Sequence, residues 1–257
     1  MFDVGYDVEP FRQLCENAPT SSVYPVDRFR VEWGPIFHRG RLDGTARVLV
    51  IGQDPAAHEA VARRILCGVA GHRVQGFLAK LGIDRSYVMI NAFLYSLFGT
   101  DAPTHTQDQL DDRFDWIEAI LETGAVEVVV TFGAVANKVW ARYLQNRPPA
   151  TPVTQVAAVH PTAHLSDAQL LDNWNAALDR AHAAISFPDQ NLPLIHYADD
   201  WDDSVDLVAI PGFDLPAGLP AWMAGAQTWA VRGDDRAPVP TASRITTTIP
   251  ESDRIDR

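Results

Sequence analysis

The chain has 257 residues, 47% of them hydrophobic, enough to bury a sizeable core as one α/β domain with appendages or two small domains, and this composition excludes a disordered chain. Its two cysteines, Cys15 and Cys67, are too few for a disulfide framework or a four-cysteine metal or iron–sulfur site, so a reducing cytoplasm is the default setting. The net charge of −12 argues on its face against a nucleic-acid partner.

The distribution of that charge softens the objection. Residues 187–257 hold 12 acids and 5 arginines, net −7, while the first 186 hold 21 acids against 16 Lys or Arg, net −5. Any DNA contact would therefore need a local basic patch. The opening stretch, MFDVGYDVEP, is acidic and lacks the basic-then-apolar layout of a signal peptide. No apolar run approaches a bilayer span, so no membrane partner is expected.

Weak periodicity over residues 8–18 allows one short helix. Arg28, Arg30, His38, Arg39, Arg41 and Arg47 then make the most basic stretch before the first strand, either a solvated face or a phosphate-contacting arm. VLVI at 48–51 is apolar without polar alternation, which predicts a strand buried on both faces. Gly52 ends it, and Pro55 holds Asp54 extended. One carboxylate is thereby placed at the carboxyl end of a central strand, where open α/β sheets bind ligands; the plainer reading is that Asp54 caps the next helix.

Val74, Phe77, Leu78 and Leu81 mark a helix stopped by Gly82. YVMINA (87–92) is a second buried strand with Asn91 near its end. A loop excursion over 93–104 leads to an amphipathic helix over 106–121. VEVVVTFG (126–133) is the third strand, followed by a helix over 134–144 that Pro148 and Pro149 break. VTQVAAVH (153–160) is the fourth, and Ser166 caps a last helix through Leu170, Trp174 and Leu178.

Four strand–helix units in alternation imply an α/β fold: a three-layer α/β/α arrangement around a central four-stranded parallel sheet. In such a sheet Asp54, Asn91 and His160 share one edge. Residues 1–186 form the domain, and 187–257 read as an acidic, Pro-rich extension wrapping onto it, with the final fifteen or so residues disordered. Trp201, Trp222 and Trp229 read as core or lid. His58-Glu59 fails the HExxH spacing.

With these residues in place, the chain resembles the uracil-DNA glycosylase superfamily over about residues 45–185. GQDP (52–55) is similar to its water-activating motif, HPTAH (160–164) to its His-Pro-Ser-Pro-Leu loop, and Asn91 to its base-reading asparagine. The frame of GQDPAAHEAVARRILCGVAG (52–71) is similar to that of the iron–sulfur branch. The resemblance implies a monofunctional glycosylase that hydrolyses the N-glycosidic bond of uracil in single- or double-stranded DNA and leaves abasic DNA. It implies that Asp54 orients water, His160 supports the departing base, Asn91 reads a flipped-out uracil, and amides near Gln53 meet its second carbonyl. Neither a metal nor an organic cofactor is required, and a monomer is expected.

Departures from the family pattern bear on specificity. Ala56 replaces the tyrosine that crowds C5 of the base, and Leu66, with Cys67 and Gly68, stands where a stacking phenylalanine is expected. His164 occupies the place of the duplex-wedging leucine, so His164 or Leu165 fills that role. Arg63, Arg64 and Arg73, with His72, are either a solvated helix face or phosphate contacts. Only Lys80 and Lys138 exist in the chain, neither near the motifs, so imine chemistry is not expected. Rival readings are a catalytically weak binder of lesions or abasic DNA on the same fold, and a nucleotide- or small-ligand module with no DNA role, which the acidity favours.

Overall fold

The computed structural model describes residues 9–98 and 107–214. In chain order the elements are α1 (Phe11–Glu16), β1 (Arg39–Gly40), β2 (Val48–Gly52), α2 (Ala57–Ala62), α3 (Val69–Lys80) and β3 (Tyr87–Asn91). They continue as α4 (Gln107–Asp111), α5 (Phe114–Glu122), β4 (Val128–Phe132), α6 (Ala134–Asn146), β5 (Thr154–Ala158) and α7 (Asp167–Ala184).

The sheet order is β1-β3-β2-β4-β5, with β2, β3, β4 and β5 parallel and β1 antiparallel to β3. Every residue of β2, β3 and β4 is buried, as unbroken apolar runs require of strands covered on both faces. β5 alternates at the sheet edge, with only Val156 and Ala158 buried. The crossover β2–α3–β3 runs one way along the sheet, whereas β3–α5–β4 and β4–α6–β5 run the other. Right-handed crossovers therefore put α3 on one face and α5 and α6 on the opposite one. Phe77 of α3 packs edge-on against Phe132 and Trp174 of α7, while Phe114 of α5 meets Tyr143 of α6. The chain turns to opposite faces after β2 and β4, which opens a crevice at their carboxyl ends.

Two expectations need correction. The sheet has five strands rather than four, because Arg39–Gly40 pairs with Met89 and Val88. Two residues carry no periodicity, and this pair is held by a contact far along the chain. The single helix expected over 106–121 is two, α4 and α5. Asp112, between them, accepts a 2.6 Å hydrogen bond from the Tyr24 hydroxyl, and Arg113 donates to the Phe37 carbonyl at 2.8 Å.

Beyond α7, residues 187–214 lie along the domain, with Tyr197, Asp206 and Asp214 buried. The expected disorder of the last residues, and Trp222 and Trp229, lie outside the described residues. No helix among the described residues is long and apolar enough to cross a membrane.

Candidate active site

Strand register fixes the rim. Gly52 is paired with Asn91, Ile51 with Thr131, and Phe132 with Ala158. Asp54 and His160 each follow two residues beyond a paired strand end, so Asp54, Asn91 and His160 occupy one edge of the sheet.

Asp54 is tied down on both oxygens. Its Oδ2 accepts from the Leu97 amide at 3.1 Å, and its Oδ1 accepts from Gln53 Nε2 at 3.2 Å. The Gln53 carbonyl in turn accepts from the Phe93 amide at 2.9 Å, which locks the turn after β2 to the loop after β3. Burial pushes the Asp54 carboxyl up from 3.8 to about 6; the Leu97 and Gln53 donors oppose the rise and the Glu59 charge adds to it. The carboxylate is thus ionised at neutral pH yet ready to accept a proton, a range suited to general-base work.

Asn91 is 2% exposed, and its Oδ1 has no hydrogen-bond partner among the described residues. A buried acceptor left unsatisfied costs about 1–3 kcal/mol, a cost that a donor brought by a ligand would remove. Space for it depends on Gly52, where a Cβ would come within 2.3 Å of Asn91 Oδ1.

His160 is positioned by its neighbours on the loop and on α7. The Thr162 amide donates to His160 Nδ1 at 3.2 Å. An amide can only donate, so Nδ1 is the acceptor and the proton of the neutral ring sits on Nε2. Burial lowers the imidazole pKa below 6.5, which keeps that neutral form at pH 7. Behind the ring, Val159 is held at both main-chain groups: its amide donates to Asn173 Oδ1 at 2.8 Å and its carbonyl accepts from Trp174 Nε1 at 3.1 Å. Gly133, with φ +90, lies against His160, and a Cβ there would approach the histidine Cβ to 3.2 Å.

Glu59, 5% exposed, joins two loops. It accepts from the Ala56 amide at 3.0 Å and from the Cys67 amide at 3.1 Å. In sequence Glu59 stands out as a favourable charge near a helix start and as part of the frame similar to the iron–sulfur branch. Its spacing eight residues before Cys67 signals nothing without the fold. Leu97 is equally silent in sequence, since it acts through a main-chain amide that any residue but proline supplies, whereas Thr162 also sets its hydroxyl 3.1 Å from His160 Nδ1.

The remaining candidates divide. Leu66 is 8% exposed in a left-handed conformation, φ 55, and its carbonyl crosses so close to Gly71 that a Cβ there would lie 1.5 Å away. Ala56 is exposed, as are His164 and Leu165, the last at 45%. Arg64 is a correction: at 2% exposure, donating to the Arg63 carbonyl at 2.9 Å, it lies inside the protein and is not on a phosphate-contacting surface. Arg63 and Arg73 are also turned inward. Arg63 donates to the carbonyls of Trp33 and Pro35 at 2.7 and 2.5 Å, and Arg73 to that of Pro161 at 2.6 Å. Of the basic stretch over residues 28–47, His38 and Arg39 are fully buried, whereas Arg28 is exposed.

A cavity of about 280 Å³ lies elsewhere, between α1 and the α4–α5 bend, and includes none of the rim residues. No group of three His, Cys, Asp or Glu side chains that could hold a metal occurs among the described residues.

Along one sheet edge lie a donor, a fixed carboxylate and an amide oxygen without a hydrogen-bond partner among the described residues, groups able to polarise a leaving group and orient water beside it. A comparison with curated proteins returned no match. Residues 39–182, from β1 into α7, match the family described as the Uracil DNA glycosylase superfamily, and the chain belongs to that superfamily.

Proposed function

We propose that this protein is a monofunctional glycosylase that hydrolyses the N-glycosidic bond of uracil in DNA. Membership of the superfamily indicates a DNA glycosylase; the buried, unpartnered Asn91 carbonyl carries the narrower reading. That oxygen needs a donor, and uracil offers its N3–H, while the Asn91 amide N–H meets the adjacent carbonyl. Cytosine presents an acceptor at N3 and an amine beside it, opposite in sense to this orientation.

The reaction divides between the two ends of the crevice. As the C1′–N1 bond breaks, its electron pair passes to the base, and charge grows on the uracil oxygen. The His160 Nε2–H donates to that oxygen without a change of protonation state, a preorganised donor of the kind worth two to three orders of magnitude in rate. Asp54 stabilises the cationic sugar and orients a water whose oxygen bonds to C1′. The proton released by that water passes to Asp54 or to solvent. The products are free uracil and an abasic sugar.

Ala56 leaves the C5 side of the base without a wall, so 5-substituted uracils are accepted alongside uracil. His164 and Leu165, both exposed on the His160 loop, fill the gap left by the extruded base. The protein acts as a monomer in the cytoplasm and needs no cofactor. The test is incubation with a uracil-containing single-stranded oligonucleotide in EDTA followed by alkali: strand scission dependent on Asp54 supports the reading, and binding without scission favours a lesion binder.

A further inference from the structure

Residues 187–214 do more than cover the domain. The segment is pinned at intervals along its length. Asp189 Oδ2 accepts from the amides of Asp84, Arg85 and Ser86 at 2.9, 2.8 and 2.9 Å. Asn175 of α7 holds the Tyr197 main chain in both directions, at 3.0 and 2.8 Å. Lys80 pairs with Asp206 at 3.0 Å, and the Asp206 carbonyl presses on α3 where only Gly76 fits, since a Cβ would lie 1.9 Å from it. At the far end, Asp214 is fully buried against Arg39 at 2.6 Å and accepts from the Tyr87 hydroxyl at 2.5 Å. A buried pair of this kind needs both partners, because either charge alone would be left uncompensated.

Between these pins the segment sets Trp201 beneath the His160 loop. The Arg73 guanidinium lies 4.2 Å from the centre of the Trp201 ring while donating to the Pro161 carbonyl at 2.6 Å. The opposite contact of Trp201 is edge-on to Trp174, centroids 5.6 Å apart, and Trp174 is the residue that holds the Val159 carbonyl. Trp201 therefore touches two side chains that grip the main chain around His160, one on each side of it: Trp174 at Val159 and Arg73 at Pro161. Trp201 is also partly buried against the core, where it meets Tyr197 edge-on with centroids 5.4 Å apart.

We propose that Trp201 is a positioning residue for His160, and that residues 187–214 are a strap that delivers it. The aromatic face fixes the Arg73 guanidinium by cation–π attraction, Arg73 fixes the Pro161 carbonyl, and the Thr162 amide is thereby kept on His160 Nδ1. The strap thus maintains the Nε2–H tautomer aimed at the base. This inference rests on the assignment of His160 as the base-facing donor.

The experiment uses the full chain with Trp201→Leu, Trp201→Phe and, as a control elsewhere on the strap, Leu194→Ala, whose side chain packs on the core. Three quantities are read: kcat and KM on a uracil oligonucleotide, hydrogen exchange at the Thr162 amide, and the His160 tautomer from ring nitrogen NMR. Trp201→Leu lowers kcat about tenfold, as a small misplacement of a catalytic group does, with KM within about twofold. It also speeds exchange at Thr162 and mixes the tautomers. Trp201→Phe, which keeps a ring face over Arg73, restores most of each. Leu194→Ala moves none of them.

Unchanged Thr162 exchange and tautomer in Trp201→Leu would overturn the proposal, and so would the same changes in Leu194→Ala. Full cleavage by Asp54→Asn would sink the functional assignment instead, and the exchange and tautomer readings would still decide on the strap.

Discussion

Replacing Asp54 by asparagine should remove activity and make the protein more stable. The carboxyl is raised from 3.8 to about 6 by burial, so the folded state binds this proton more tightly than the unfolded chain does. Stability is therefore lost as pH rises from about 4 to about 6, and the full penalty applies above that window. That rise corresponds to about 3 kcal/mol at pH 8, and about half of the penalty is already in force at pH 5. Asparagine can keep the Leu97 amide as donor and give its own N–H to a flipped Gln53 carbonyl, so little packing is lost. Urea melts of both proteins at the two pH values provide the assay. The stability gap, in favour of Asp54→Asn, should widen by about 1.4 kcal/mol between pH 5 and pH 8. A gap that is constant with pH, or an asparagine variant less stable at pH 8, would refute the claim that this carboxylate is held ionised against its burial.

The same ionisation gives cleavage an acid limb: kcat should fall about tenfold per pH unit below about 6 and stay flat above it, read from initial rates between pH 5 and 8. Gly52→Ala would drive a Cβ to within 2.3 Å of Asn91 Oδ1; uracil cleavage should fall by about two orders of magnitude, with far-UV circular dichroism unchanged. Glu59→Gln leaves one acceptor oxygen for the Ala56 and Cys67 amides and removes a charge that raises the Asp54 pKa. It should cost about 1–3 kcal/mol in urea melts and move the acid limb to lower pH. Ala56→Tyr should abolish cleavage of 5-substituted uracils while sparing uracil itself, measured on matched oligonucleotides.

Strand ends were legible because the buried strands are short apolar runs whose final residues break the pattern in type. Asp54 after Gly52, Asn91 after Ile90 and His160 before Pro161 stand out for that reason, and a parallel sheet puts all three on one rim. What stayed hidden depends on pairing across the chain. Arg39 reads as a solvated cation until Asp214, 175 positions later, is found against it. Arg73 reads as a solvated cation or a phosphate contact until its guanidinium is found against the Pro161 carbonyl and the Trp201 ring. Arg64 carries no mark in sequence to separate it from a surface arginine. Leu97, which acts on Asp54 through its main-chain amide, leaves no residue-type signal at all.

Arg63, Arg64 and Arg73 are engaged by carbonyls of the protein itself, in a chain of net charge −12. Affinity for DNA should then depend weakly on salt compared with a basic glycosylase. The extruded base, rather than the phosphates, must supply much of the binding.

The most direct measurement is scission of a uracil oligonucleotide by alkali after incubation with the wild-type protein and with Asp54→Asn, in EDTA, scored beside binding of the same oligonucleotide. Scission by the wild type alone is expected, with retained binding by the variant. Equal scission by both, or none by either, would contradict it.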